Sequence, residues 1–268
     1  AQVPTKGSYH RPSVIMRIRI LGSGTSSGIP LVGSDDPVCR SSDYRDHRLR
    51  VSALFEVDGR RILIDAGPDF REQMLRENID QVDALLLTHG HKDHTGGLDE
   101  LRAFNFKTRK ALPVYADQKT LEDVKGQYHY LFAEERYPGT ASLDTHEIDK
   151  EEFQVAGIDV LPVEVFHGDM PIRGFRIGNA AYLTDVKRID PSEVSKLTDL
   201  DVLIVNAIRH DAHWSHFNLE EALAFIKTIQ PKKTFLSHIS YKLGFHAAVS
   251  ATLPENVSLA YDGLRITL

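Results

Sequence analysis

The segment His89-Gly90-His91-Lys92-Asp93-His94 limits what this chain can fold into more than any other feature of the sequence. It follows the apolar run 84–87 directly and is itself followed by Thr95-Gly96-Gly97. Three imidazoles and one carboxylate on one tight loop can face a single point, and this mixture of donors suits zinc, manganese or iron. The segment therefore predicts a metal site at the end of a buried strand, a position where catalytic groups are often found.

Strand and helix patterns alternate on both sides of this loop, which predicts an α/β fold whose sheets carry helices on their outer faces. Asp58-Gly59 between SALFEV and RRILID predicts a hairpin, and the glycine-rich stretch GSGTSSGIPLVG after MRIRIL is either a wall of the site or a plain loop. Helices are predicted over 70–77, 98–104, 118–125 and 219–229, and further strands over 84–87, 113–115, 153–155, 158–165, 172–177, 180–183, 202–205 and 234–236.

Length and composition favour one domain over 16–268, because 268 residues with 41% hydrophobic content can bury one large core. Residues 1–15 lack the apolar stretch of a signal peptide, so we interpret them as an extension, native or introduced by cloning, and Met16 as a plausible natural start. The net charge of −6 predicts neither a membrane nor a long nucleic acid as partner. A single cysteine, Cys39, excludes an intrachain disulfide and favours the cytoplasm. A homodimer stays open.

The stretch LTHGHKDHTGG resembles the HxHxDH signature of the metallo-β-lactamase superfamily. Further matches are Ile64-Asp65-Ala66-Gly67, Val165-Phe166-His167, Leu183-Thr184-Asp185 and Leu236-Ser237-His238, so that the resemblance covers 16–268. Within the superfamily, RILGSGTSSGIP, RDHRLRVSAL, HFNLEEAL and SHIS resemble the PhnP-like phosphodiesterases. The resemblance implies a four-layer αββα sandwich of two mixed sheets. It also implies hydrolysis of cyclic phosphate esters of ribose or nucleotides, such as phosphoribosyl 1,2-cyclic phosphate.

The superfamily's pattern implies two divalent metal ions, zinc or manganese, with iron as a further option. A water or hydroxide shared by the two ions would attack phosphorus, which counts Asp93 and Asp185 among the catalytic residues. Asp65 would stand behind the ligands and orient them through hydrogen bonds, or it is a turn residue at a strand end. In the implied ligand set one ion is held by His89, His91 and His167, the other by Asp93, His94 and His238, and Asp185 bridges the two.

The position of His216 resembles that of a histidine that faces the substrate in PhnP-like enzymes and binds no metal. There it would protonate the departing oxygen or stabilise charge on the phosphoryl group. The alternative is a helix-entry residue with Asn218 as the N-cap. His210 and His213 stay unassigned.

Other substrate contacts are weaker hypotheses. Arg48, Arg50 and Ser52 are candidates for binding a phosphate, or are solvated residues at a strand edge. Four aromatic residues form either a lid over a sugar or base, or a surface packed on the sheet: Tyr128, His129, Tyr130 and Tyr137.

The sequence departs from the family's pattern at one place. PhnP-like proteins often bind a structural zinc through CxCxxC and a later histidine, but here the corresponding residues are Ser34, Asp36, Cys39 and Tyr241. One thiol cannot complete such a site, so we expect no structural cysteine-bound zinc.

Two kinds of alternative function stay open. The first is another hydrolase of the same fold: a tRNA 3′-processing nuclease, a thioester hydrolase or a lactamase. The negative charge and the lack of an inserted basic arm speak against the nuclease. The second is a metal- or nucleotide-binding protein without turnover, because fold and site do not specify a substrate.

Overall fold

Two seven-stranded sheets face each other in the computed structural model, which describes residues 15–268. The predicted extension lies, apart from Ile15, outside the described residues. The strands are β1 (Met16–Gly22), β2 (Ser52–Val57), β3 (Arg60–Ile64), β4 (Ala84–Leu86), β5 (Leu112–Ala116), β6 (Leu143–Glu147), β7 (Phe153–Val155), β8 (Ile158–His167), β9 (Met170–Ile177), β10 (Ala180–Tyr182), β11 (Val202–Asn206), β12 (Lys233–Ser237), β13 (Val257–Leu259) and β14 (Arg265–Thr267).

Both sheets are mixed. The first has the order β14-β1-β2-β3-β4-β5-β6, in which β3 to β6 run parallel and the other neighbours antiparallel. The second has the order β13-β12-β11-β10-β9-β8-β7, in which β10 to β13 run parallel. The predicted hairpin is present, since β2 and β3 pair around Asp58-Gly59 with Val57 opposite Arg60.

Helices cover the outer face of each sheet. They are α1 (Phe70–Glu77), α2 (Lys92–Thr95), α3 (Arg102–Thr108), α4 (Gln118–Gln127), α5 (Pro191–Val194), α6 (Leu219–Ile229) and α7 (His246–Ser250). The bounds of α1 and α6 agree with the sequence prediction. The helix predicted over 98–104 instead starts as a 3-10 turn, Leu98–Leu101, before α3. Leu98 and Leu101 are both buried, and their spacing of three residues suits such a turn.

Three apolar layers hold this arrangement together. Alternate strand residues such as Phe55, Ile62 and Phe175 fill the space between the sheets, as the two-residue period of a strand requires. A second layer packs α1, α3 and α4 on the first sheet, and a third packs α6 on the second. The predicted four-layer αββα sandwich is confirmed.

The fold brings the ends of strands from both sheets to one edge of the molecule. In the first sheet, β3 leads into Asp65 and β4 leads into the segment 88–94. In the second sheet, β8 ends at His167, and β10 and β12 lead into the loops that carry Asp185 and His238. Residues far apart in sequence therefore meet at this edge. Within 15–268, no helix has the length and apolar character needed to cross a membrane.

Candidate metal centre

The seven predicted ligands lie together and form two sets, in each of which the donor atoms are within 4.8 Å of one another. The first donor group comprises His89, His91 and His167. The second donor group comprises Asp93, His94, Asp185 and His238. The ligand sets that the resemblance implies have the same members, except that there Asp185 is shared by both sets.

Three residues at this edge have left-handed backbone conformations, with φ of +60° at Asp65, +58° at Asp185 and +53° at His238. Such a conformation costs a residue other than glycine on the order of 1–3 kcal/mol and persists where surrounding contacts impose it. Those contacts are present. Asp65 N donates to Leu86 O at 2.9 Å, and Ile239 N, just after His238, donates to Ser23 O at 2.9 Å. The backbone is thus bent at the points where these side chains must face inward.

Hydrogen bonds fix which ring nitrogen is free in the first donor group. His167 Nδ1 lies 3.0 Å from the carbonyl oxygen of Ser215, which can only accept, so His167 carries its proton on Nδ1 and leaves Nε2 as the donor atom. Thr88 donates its hydroxyl proton to Asp65, and its oxygen lies 3.0 Å from His89 Nδ1. The same reasoning leaves His89 Nε2 free. That atom lies 3.1 Å from His91 Nδ1.

Asp65 is in hydrogen-bond contact with His94 of the second donor group. Its carboxylate accepts hydrogen bonds from Thr88 N at 2.9 Å, Thr88 Oγ1 at 2.8 Å and His94 Nδ1 at 2.7 Å. Asp65, Thr88 and His94 are all buried. His94 Nε2 is therefore the free nitrogen, and it has no hydrogen-bond partner although it is buried. An orienting role of Asp65 would require such contacts, and the role itself stays a prediction.

Asp185 belongs to the second donor group and also faces the first. Its Oδ2 is 3.6 Å from His89 Nε2 and 3.4 Å from His94 Nε2, and its Oδ1 is 3.1 Å from His238 Nε2. Thr184 Oγ1 donates to Oδ1 at 2.6 Å and fixes the carboxylate. A carboxylate so placed faces both groups at once, which is the arrangement expected of a bridging ligand.

Neighbouring charges shift the pKa values of His94 and Asp185 in the second donor group. Burial disfavours a charged His94, but Asp93, Asp185 and Asp65 outweigh it and raise the pKa of His94 well above its usual value. Burial likewise acts to raise the pKa of Asp185, but His238 and His94 lower it well below the usual range. The carboxylates thus concentrate negative charge at this point, and a bound cation would balance it.

The donor set fits metal ions on these observations. Imidazole nitrogens and carboxylate oxygens are the ligands of zinc and related metals. Buried ring nitrogens of His94, His216 and His238 have no hydrogen-bond partner, whereas buried polar atoms in folded proteins normally have one. A metal ion would satisfy the nitrogens of the donor groups.

His216 lies closer to the donor groups than a residue that only contacts substrate needs to be. Its Nε2 is 3.4 Å from Asp185 Oδ2, and it forms a third set of donor atoms with His167 and Asp185. Its Nδ1 lies 2.9 Å from Ser215 Oγ and 3.2 Å from His213 Nδ1. The alternative assignment as a mere helix entry accounts for Asn218, whose side chain caps α6, but not for these contacts of His216.

Gly67, in the loop 65–69, packs closely against the segment 88–94. A β-carbon at Gly67 would lie 2.1 Å from the carbonyl oxygen of Asp93. We expect Gly67→Ala to lower the free energy of unfolding by about 1–3 kcal/mol, the usual effect of overpacking. The matched control is Gly126→Ala in α4, where a β-carbon meets nothing within 4 Å. That variant should be more stable by about 0.5–1 kcal/mol. Urea unfolding of both variants measures the contrast, and equal effects would contradict the close approach.

The three candidate phosphate contacts have different surroundings. Arg48 is buried and donates to Ser23 Oγ and the carbonyl of Ala260, and it lies 3.1 Å from His246 Nδ1. Ser52 is buried and donates to the carbonyl of Asp65 at 2.9 Å. Both side chains therefore bind the protein itself, in the interior and not at a solvated strand edge.

Arg50 is the partly exposed member of this trio. It pairs with Asp69 at 2.9 Å and donates to the carbonyl of Ser26, in the glycine-rich loop, at 3.2 Å. That loop also bonds to Ile239, next to His238, through Thr25 N at 3.0 Å. It therefore lies beside the site, as a wall would.

The predicted aromatic lid and the region around Cys39 both contain buried residues. Tyr128 is buried and donates its hydroxyl to the carbonyl of Thr95 at 2.8 Å, which favours the packed surface over the lid. Tyr137 is exposed. Cys39 is buried in the core on the second sheet, and its sulfur accepts from Leu31 N at 3.5 Å. The expected lack of a cysteine-bound zinc stays a prediction.

Sequence reasoning missed the residues that support the donors. Thr88 and Ser215 hold the rings of His89 and His167, and Asn206 holds the loop after Asp185 through Val186 N at 2.7 Å. Their positions in the sequence could have indicated them. Thr88 and Ser215 directly precede His89 and His216, and Asn206 ends the buried strand β11.

The comparison with protein families agrees with this geometry. The family described as the beta-lactamase superfamily domain matches residues 60–239, which include β3, both donor groups and His216. The chain belongs to the metallo-β-lactamase superfamily. Its predicted PhnP-like character is confirmed by a structural match at 38% identity to a crystal structure described as a new diphosphatase from the PhnP family. That match covers 95% of this chain and 97% of the other, with a TM-score of 0.89.

Two other members of the comparison carry different names. A Porphyromonas gingivalis protein named octanoyltransferase is 43% identical over 93% of this chain, but this chain spans only 51% of its length. The crystal structure of zinc-bound PqqB from Methylobacterium extorquens is 20% identical to this chain and has a TM-score of 0.74. The match covers 94% of this chain and 100% of PqqB. At that identity the likeness shows the fold alone.

Proposed function

We propose that this chain is a two-metal hydrolase of small phosphoric esters, with cyclic phosphate esters of ribose or nucleotides as its substrate class. The observation that carries the proposal is that Asp185, in the second donor group, also lies 3.6 Å from His89 of the first. One donor group would suffice for a single metal. Two adjacent groups that share a carboxylate are the arrangement in which attack on phosphorus is commonly catalysed.

The metal ions would be held by His89, His91 and His167 on one side and by Asp93, His94 and His238 on the other, with Asp185 shared. Zinc or manganese at these positions would lower the pKa of a bound water and neutralise charge on the phosphoryl oxygens. The protein's own part is to keep the donors in place. Asp65 and Thr88 hold His94 and His89 in one tautomer each, and such supporting contacts are typically worth 10–100-fold in affinity or activity.

His216 is the residue that we assign to the leaving group. Burial lowers the pKa of its imidazole to about 4, so it is neutral at neutral pH before substrate arrives. A phosphoryl anion beside Nε2 would raise that pKa, because a nearby negative charge favours the imidazolium. The ring can then donate a proton to the departing oxygen.

The comparisons support phosphorus as the atom attacked. The PhnP-family relative at 38% identity is described as a diphosphatase, an activity on a phosphoric anhydride, so a diphosphate ester is the second candidate substrate. Octanoyl transfer is less well supported, because it names a protein of which half has no counterpart in this chain. The net charge of −6 disfavours a nuclease of long RNA.

A substrate panel tests the proposal. The purified chain would be offered bis-p-nitrophenyl phosphate, 2′,3′-cyclic AMP, a ribose 1,2-cyclic phosphate, ADP, a thioester and a β-lactam. We expect hydrolysis of the phosphoric esters, loss of activity with EDTA, recovery with zinc or manganese, and an unchanged circular dichroism spectrum. Turnover of the thioester or the β-lactam alone would contradict the proposal, as would tight metal binding without any hydrolysis.

A further inference from the structure

The chain's one tryptophan, Trp214, lies on the surface next to the donor groups. Its exposed fraction is 77%, although tryptophan is on average highly buried in folded proteins. It stands in the loop between β11 and α6, immediately before Ser215, which orients His167, and two residues before His216. A large aromatic surface is thus presented to solvent at the edge of the site.

The loop that carries Trp214 is fixed against the loop of His167. Gly168 N donates to the carbonyl of Ser215 at 3.2 Å. Gly168 has a φ of +60°, and a β-carbon there would lie 2.6 Å from Cζ3 of Trp214. Only glycine lets the indole lie this close to the backbone. The ring is therefore supported on one side, which reduces the entropy lost when a ligand packs on it.

The plane of the indole is nearly parallel to its neighbouring rings. The Trp214 and His167 ring centres are 6.4 Å apart with 23° between the planes, and the same centre distance separates Trp214 from His213, at 22°. His167 belongs to the first donor group. A substrate whose phosphoryl group meets the donors can therefore extend a second group over Trp214.

We propose that Trp214 is a stacking surface for the base of a nucleotide substrate, so that the enzyme prefers phosphoric esters that carry a base over those of ribose alone. The inference rests on the proposed function and narrows its substrate class. A planar π system is what an exposed indole face recognises best, since bases stack on aromatic rings whatever their sequence identity. The ribose alone offers no planar π system to this surface.

Binding of two phosphate monoesters tests this directly, because 5′-AMP carries a base, ribose 5-phosphate carries none, and neither is a diester that the enzyme would consume during the measurement. In the metal-loaded protein, AMP should quench or shift the fluorescence of the single tryptophan, and ribose 5-phosphate should not. By calorimetry AMP should bind more tightly by roughly 5- to 150-fold, the range that base stacking gives. Trp214→Phe should keep much of this preference, and Trp214→Leu should bring the ratio close to one.

The control is Phe106→Leu, which removes another exposed aromatic ring, on α3, and should leave the preference unchanged. Equal binding of 5′-AMP and ribose 5-phosphate by the unmodified protein would overturn the inference, and so would a preference that survives in Trp214→Leu. A Trp214→Leu variant that changes only the oligomeric state, measured by light scattering, would assign the ring to subunit contact and also overturn it. In each case hydrolysis of the ester panel decides the proposed function separately.

Discussion

Asp185→Asn is expected to lower the hydrolysis of every phosphoric ester by at least about 10³-fold. Asparagine has nearly the shape of aspartate and can still accept the hydrogen bond from Thr184, but it removes the charge that faces both donor groups. A metal ion at such a site supplies several kcal/mol of transition-state stabilisation, and each 1.36 kcal/mol changes a rate about tenfold. The measurement is kcat with bis-p-nitrophenyl phosphate at saturating metal.

The matched control for this variant is Asp159→Asn, at an exposed position of β8, where the carboxylate accepts a hydrogen bond from Gln154. It should leave kcat unchanged. An Asp185→Asn enzyme within about tenfold of the unmodified one would exclude a bridging role, since the lost charge would then count for less than about 1.4 kcal/mol.

His216→Ala is expected to impair esters with a poor leaving group far more than those with a good one. A ribose hydroxyl leaves as a strongly basic alkoxide and needs a proton, whereas p-nitrophenolate leaves without one. The loss on 2′,3′-cyclic AMP should reach about 10²–10⁴-fold, the usual contribution of a general acid, and should be much smaller on bis-p-nitrophenyl phosphate. Parallel kcat/KM measurements on the two substrates give the ratio.

The metal content of His216→Ala separates two roles that the structure brings close together. Because its Nε2 lies 3.4 Å from Asp185, His216 is near enough to the donor groups to be a ligand. If it serves the leaving group, the variant keeps its metals. Loss of one metal ion, with equal rate losses on both substrates, would make it a ligand instead. His146→Ala, in a surface pair with Asp144, is the control.

Local signals were sufficient for much of the fold. The hairpin at Asp58-Gly59 and the helices α1 and α6 depend on neighbours in sequence, and their predicted bounds agree with the structure. Strand β6, Leu143–Glu147, was missed. It is an edge strand that pairs on one side and carries Asp144, His146 and Glu147, and edge strands often lack the apolar alternation by which strands are recognised.

The residues of the site likewise differ in whether the local sequence is enough to predict them. His89 to His94 could be found from spacing alone, because their donors come from one loop. His167, Asp185 and His238 are single residues at separate strand ends, and only the family resemblance grouped them with that loop. The burial of Arg48 could not be predicted from the sequence. Its guanidinium contacts Ala260 and His246, about 200 residues away in the chain, and no local pattern indicates that such an arginine is buried.

Metal stoichiometry tests the central claim most directly. The chelated protein would be titrated with zinc or manganese while bound metal is measured by elemental analysis and hydrolysis of bis-p-nitrophenyl phosphate is followed. We predict two metal ions per chain in the unmodified protein, with activity that appears as the second site fills, and fewer than two in Asp185→Asn. Full activity with one ion per chain, or two tightly bound ions in Asp185→Asn, would contradict a dinuclear centre built around Asp185.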